Sequence, residues 1–173
     1  MNEGDDLFSI NSVSPLGLWV VDNFYEHPDE IRELALGCEY EGASAWYKGY
    51  RSKESYRPEC IKEAFEKIIG KKITKWDYDM NGRFQYTTPE DLRVYHTDRQ
   101  DLAAVIYLNP NAPHRCGTQI LTSDLEDPWE GGPFDKTKFE VVDDIGNKYN
   151  RAFIFGDYRI HAASEYFGQG VED

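Results

Sequence analysis

Cysteine is scarce: Cys38, Cys60 and Cys116 are the only three, widely spaced and with no CxxC pair. An odd, scattered set supports neither a disulfide framework nor a zinc–thiolate site. Positive charge is short as well, with 19 Lys and Arg against 32 Asp and Glu, a net charge of −13. Such a field repels phosphate backbones and anionic headgroups, which excludes nucleic acid and membrane surfaces as expected partners. No stretch approaches the roughly 18 apolar residues of a membrane span. The first residues, Met1-Asn-Glu-Gly-Asp-Asp6, are acidic where a signal peptide is basic. A soluble, cytoplasmic protein is the expectation. Gly-rich phosphate loops of the GxGxxG and GxxxxGK types are missing, and so is a GxSxG nucleophile turn. Nucleotide chemistry and Ser-His-Asp hydrolysis are thereby disfavoured.

What is present is enough apolar surface for one core. Of 173 residues, 40% are hydrophobic and 14% aromatic, which suits a single domain over 1–173. Leu16 to Val21 reads as a strand, followed by turn residues, Pro28 and early acids that open a helix. Ile31, Leu34, Ala35 and Cys38 share one helical face, and the helix ends between Gly37 and Gly42. Residues 43–56, rich in Ser, Tyr, Lys and Gly without clear period, read as a loop. A second helix opens at Pro58, repeats the spacing at Ile61, Ala64, Phe65 and Ile68, and meets Gly70 as its cap.

From Ile73 the texture changes to short β-branched and aromatic runs cut by Asn81-Gly82, Thr88-Pro89, Asn109-Pro110 and Gly146-Asn147. Strands are expected near 73–79, 83–87, 92–97, 103–108, 118–122, 138–142 and 151–156, with another around His161. Helices in 1–72 and strands in 73–173 give an α+β, mostly β class, with two N-terminal helices packed outside a sheet or barrel.

Only four histidines are available for chemistry: His27, His96, His114 and His161. His27 precedes Pro28 at a helix start, where capping or solvent exposure is its expected role. His114 lies in a Pro- and Asn-rich connection and reads as an exposed turn. His96 differs, because it ends the stretch Leu92-Arg-Val-Tyr-His-Thr-Asp98, and residues two apart on a strand project from one face. His96 and Asp98 can therefore chelate together, with His161 from a second strand completing a two-histidine, one-carboxylate set. Such a triad fills three positions of an octahedral ion and leaves three open, the pattern of non-haem Fe(II) oxygen chemistry. His-x-Asp alone is a short pattern that recurs by chance, and a structural histidine is its plain alternative.

The order of parts carries more information than the motif. Helices come first, then strands, His96-x-Asp98, an apolar strand ending Tyr107-Leu-Asn109, the stretch Gly117-Thr-Gln-Ile-Leu121, a hairpin, and a strand leading to His161. This order resembles the 2-oxoglutarate and Fe(II)-dependent dioxygenases, in particular the prolyl-hydroxylase-like group. The resemblance implies a double-stranded β-helix, a cupin-like jelly roll, with Fe(II) held by His96, Asp98 and His161. It implies 2-oxoglutarate as co-substrate, decarboxylated to succinate while a C–H bond of an unidentified substrate, a peptidyl side chain being one candidate, is hydroxylated. Tyr107 corresponds to a tyrosine that faces the co-substrate's distal carboxylate, its alternative being a packed strand aromatic.

One departure concerns the group that anchors that carboxylate. The family uses an Arg or Lys on the strand after the distal histidine, whose fork matches a carboxylate. Here the twelve residues after His161 contain neither. The last barrel strand is read as missing, in a truncated or degenerate member, with Arg159, Arg93 or Arg83 as poor substitutes. An uncovered edge invites pairing with a second copy, so a homodimer is among the expectations. The acidic stretch Ser123 to Asp135 is long enough for a lid, with a solvated loop as its alternative. Two other functions stay open at this point: a cupin-like metal protein that uses no 2-oxoglutarate, and a non-catalytic β-barrel binding module.

Overall fold

The structure, a computed structural model, describes residues 17–42, 48–78, 80–98, 100–125, 135–156 and 159–173. Nine strands and two α-helices follow in the order β1 (Leu18–Val21), α1 (Pro28–Leu36), β2 (Tyr40–Glu41), β3 (Tyr50–Ser55), α2 (Glu59–Ile69), β4 (Arg83–Tyr86), β5 (Leu102–Tyr107), β6 (Thr118–Thr122), β7 (Glu140–Ile145), β8 (Arg151–Gly156) and β9 (Ile160–Ala163). They form three antiparallel three-stranded sheets, ordered β1-β8-β5, β2-β3-β4 and β7-β6-β9. The class is therefore α+β and mostly β. No helix among the described residues is long and apolar enough to cross a membrane.

Side-chain alternation explains how these parts stack. On β8, Phe153 and Phe155 point one way and pack with Ile120 of β6, Leu18, Ala103 and Ile145. Ile154 points the other way, beneath α2, and packs with Phe65 and Ile69 as well as Trp19, Leu102 and Ile106. The β1-β8-β5 sheet is thus covered by α2 on its outer face and by the β7-β6-β9 sheet on its inner face. Sheet β7-β6-β9 has its own outer layer, in which Leu121 and Ala162 meet Tyr95 and Phe139. Tyr95 and Phe139 stack with ring centroids 4.9 Å apart. Each fully buried Phe or Ile in these layers contributes about 1.5–3 kcal/mol of transfer free energy, so Phe153, Phe155, Ile154 and Ile120 set the sandwich.

Both helices form where their sequence signals lie. Pro28 is the first residue of α1, with Asp29 and Glu30 in the first turn, and Gly37 caps its end by donating to the Glu33 carbonyl at 3.0 Å. His27 makes no capping bond and is exposed, so the solvent reading of that residue holds. Leu34 is a correction to the apolar face, since it is 46% exposed while its neighbour Ala35 is buried. Helix α2 follows Pro58 and ends at Gly70, whose φ of 69° is the left-handed conformation that favours glycine.

Three expected element boundaries fail for identifiable reasons. Residues 73–79 form no strand over the described positions, because side-chain bonds tie the segment to α2 and its approach. The Ile73 amide donates to Glu66, and the Trp76 indole donates to the Arg57 carbonyl. Residues 92–97 form no strand either, and only His96 makes a ladder pair. Within the loop expected at 43–56, residues 50–55 are strand β3. Residues 43–47 lie outside the described residues, as does most of the proposed lid, 126–134. After β9, residues 164–173 contain no strand.

Candidate metal centre

The ladder pair at His96 is what builds the site. Its amide donates to the His161 carbonyl at 3.2 Å, and the His161 amide donates back to the His96 carbonyl at 2.9 Å. Residues that exchange both bonds lie directly opposite one another, with side chains on the same face. Two histidines distant in sequence thus become cross-strand neighbours, their rings 4.3 Å apart. His161 is also opposite Ile120 on β6 and rests its ring against Phe155, 4.5 Å away, so the pair looks into the layer between the two sheets. Asp98, two residues beyond His96, brings a carboxylate to the same face. Its Oδ1 lies 3.5 Å from His96 Nε2, and its Oδ2 lies 3.5 Å from His161 Nε2.

The protons on these rings follow from their second nitrogens. His96 Nδ1 faces the Val94 carbonyl at 3.2 Å, and His161 Nδ1 faces the Arg159 carbonyl at 3.1 Å. A carbonyl only accepts, so each Nδ1 carries the hydrogen in the neutral ring and each Nε2 presents a lone pair. Burial, reinforced by the neighbouring His96, pushes the His161 pKa down to about 4 against the pull of Asp98 and the Arg159 carbonyl. His161 is thus neutral near pH 7. Burial also raises the Asp98 carboxyl, but His96, His161 and Arg51 together outweigh it and hold the group below its ordinary value. An ionised carboxylate and the neutral His161 imidazole therefore converge with the His96 ring.

Three acceptor atoms facing each other form a set that a cation could share. The ligand atoms of His96, Asp98 and His161 all lie within 4.8 Å of one another. Adjacent ligands of a six-coordinate ion with bonds near 2.1 Å are about 3 Å apart, so a small inward movement closes the set around a divalent ion. The backbone carbonyls on the two Nδ1 atoms supply the second set of contacts that fixes ring orientation in metal sites. His161 is buried, while His96 and Asp98 keep 29% and 23% side-chain exposure, leaving a route for an ion and a small ligand.

The remaining expected residues are distributed around this centre. Tyr107 is buried on β5, and its hydroxyl is 2.7 Å from the Thr118 hydroxyl on β6, a bond that ties the two sheets together. Burial pushes its pKa up to about 12. His114 is exposed on its turn, where its ring covers Gly146. Of the arginines weighed as carboxylate anchors, Arg83 bonds to Glu41 and to the Ser52 carbonyl. Arg93 donates to the Ser164 carbonyl, and the Arg159 carbonyl serves His161. An open groove of about 410 Å³ runs past Arg93, Tyr95, Lys136 and Tyr166. It belongs to the outer layer with Tyr95, on the far side of the segment from His96.

One residue near the centre escaped the sequence. Arg51 of β3, within the stretch read as loop, is half-buried and acts on Asp98 through its charge. The register of β3 pairs it with Glu41 of β2 and Gln85 of β4. Comparison of the chain with protein-family models, curated proteins and solved structures finds no match.

Proposed function

We propose that the protein is a non-haem Fe(II) dioxygenase that uses 2-oxoglutarate to hydroxylate a second substrate. The observation that carries this reading is the His96–His161 cross-strand pair with Asp98 beside it, three ligand atoms from one face with both Nδ1 atoms committed to backbone carbonyls. His96, Asp98 and His161 would hold the ion through three ligand atoms and would leave room for a 2-oxo acid beside it. Fe(II) bound there supplies oxygen activation and a chelating position for the co-substrate.

The chain's own contribution is geometric and electrostatic. His96 and His161 offer ring nitrogens in fixed orientation, and Asp98 would offset one charge of the ion. Phe155 and Ile120 keep the His161 side dry. The strand order β7-β6-β9, with His96 beside β9 and β1-β8-β5 across from it, supports reading the two sheets as halves of a double-stranded β-helix.

A second reading, a cupin-like metal protein without 2-oxoglutarate, draws on Tyr107. Its hydroxyl already has a partner in Thr118 and so needs no co-substrate carboxylate. One experiment separates the two. The protein is loaded with Fe(II) and 2-oxoglutarate without oxygen, exposed to oxygen, and assayed for succinate. Succinate formed by the wild type and lost in His161→Ala supports the dioxygenase. Iron binding without succinate, across candidate substrates, turns the reading to the second one.

A further inference from the structure

We infer that two copies of this chain pair through strand β5, antiparallel across a two-fold axis at Val105, so that two β1-β8-β5 sheets join into one. The inference is independent of the metal-centre reading, since the edge concerned carries none of the three ligands.

Strand β5 ends its sheet, and among the described residues no strand pairs with its far side. Antiparallel pairing with β8 uses the backbone groups of alternate residues and directs those of the others outward. The open stretch is six residues long and stops where the Arg32 guanidinium takes the Leu108 carbonyl. Its middle is uncovered on both faces. Ala104, opposite Ile154, is exposed on the α2 side, and Val105, opposite Phe153, is 37% exposed on the β6 side.

Charge decides what covers this edge. Each copy has a net charge of −13, so two copies can meet closely only through a surface without charge of its own. Leu102-Ala-Ala-Val-Ile-Tyr107 has no charged residue and no proline, and its register against β8 runs without a bulge. It lacks each of the devices that keep sheet edges apart. Other edges have them: β7 carries Glu140, Asp143 and Asp144 with a register shift opposite Ile120 and Leu121, and β1 has only four residues and runs into Asp22, bonded to Lys148 and Arg151. The β5 edge is also complementary to itself. An axis normal to the sheet keeps each face on its own side, so with Val105 opposite its counterpart, Ala104 meets Ile106 and Ala103 meets Tyr107 of the second copy, small against large. Continuing that register sets Asp101 of the second copy opposite Asn109, beside the carbonyl that Arg32 holds, so an acid of each copy approaches the cationic end of the other.

The test is sedimentation equilibrium of the full chain from about 1 to about 100 μM, a range that spans weak self-association. Wild type, Val105→Lys, Val105→Thr and Val20→Lys are compared, with circular dichroism to check folding. The expected wild-type mass rises from 20.0 kDa toward twice that value as concentration increases. Val105→Lys, which adds the kind of charge that guards an edge, weakens the association by about tenfold or more. Val105→Thr, still β-branched, and Val20→Lys on β1 keep it. Mild oxidation of Val105→Cys links two copies through that position, which wild type with its three native cysteines does not do. A wild-type mass that stays at 20.0 kDa over the whole range overturns the inference. So does a dimer that survives in folded Val105→Lys, or one that Val20→Lys dissociates in its place. A dimer without the Val105→Cys link overturns the register. Each of these outcomes leaves the metal centre standing.

Discussion

Acid should unfold this protein through His161, and the size of the effect follows from its burial. In metal-free protein held with a chelator, the unfolded imidazole takes its proton near the ordinary value of about 6.5, but folded His161 takes it only near about 4. Between those values the unfolded state binds more protons than the native one, so falling pH favours unfolding. Stability present above the unfolded value is lost as pH drops toward the folded one. For one group with these two values the loss is about 1 kcal/mol at about pH 6 and about 2 kcal/mol at about pH 5.2. The isoelectric point near 4.7 sets the lower end of a workable range. The assay is urea unfolding followed by tryptophan fluorescence across that range, comparing wild type with His161→Gln, which has no proton to take. Any constant cost of the substitution cancels in the comparison of slopes. Asp98, also held low, contributes in the same direction, its share being lost only as pH falls through its depressed folded value. Parallel curves for the two proteins would refute a buried, neutral His161 and with it the lone pair assigned to Nε2.

Three further outcomes test other parts of the structure. Mn²⁺ at about one hundred times its dissociation constant stabilises the native state by about 2.7 kcal/mol, a rise in melting temperature on the order of 5–10 °C for a domain of this size. Scanning calorimetry should show that rise in the wild type and none in His161→Ala or Asp98→Asn, whereas an equal rise in the variants puts the ion elsewhere. Tyr107→Phe leaves the buried Thr118 hydroxyl without its partner and costs about 1–2 kcal/mol in urea unfolding, with Mn²⁺ affinity unchanged. Wild-type stability in that variant would mean the link between β5 and β6 contributes nothing. Gly117→Ala sets a Cβ 1.9 Å from the Ile145 carbonyl, so β6 and β7 must part at a cost of about 2 kcal/mol or more, read as an earlier thermal transition. An unshifted transition would refute the close approach of those strands.

The parts of the fold legible in the sequence are those whose signal is local. Helix α2 has its apolar spacing, its proline start and its glycine stop within thirteen residues, and it forms there. Strand β8 is apolar on both faces because it is covered on both, and its run Arg151-Ala-Phe-Ile-Phe155 stands out for that reason. Strand β3 has only Ser52 fully buried among Lys, Glu and Arg neighbours, so its sequence carries no pattern to read. The segment at 73–79 has strand-like composition, yet it spends Ile73 and Trp76 on α2 rather than on a sheet. Partner choice decided that case, and partners are not written locally. The two-residue spacing of His96 and Asp98 was readable for the opposite reason, being local, while the arrival of His161 beside them depended on β9 finding both β6 and the His96 segment.

That dependence explains why a cross-strand pair suits a metal centre better than three ligands on loops. A ladder position fixes two backbones to each other with a pair of hydrogen bonds, so little conformational freedom remains to be lost when an ion binds. The same rigidity has an electrostatic cost in the metal-free state. Asp98 lies 3.5 Å from both Nε2 atoms, and His161 cannot relieve the crowding by taking a proton, because Phe155 and the surrounding burial disfavour its charged form. A cation between the three atoms would relieve this crowding, so the crowding and the affinity for an ion rest on the same burial. Exchanging Phe155 for a smaller, polar residue should accordingly weaken both together, making the metal-free protein less sensitive to acid and the ion easier to remove.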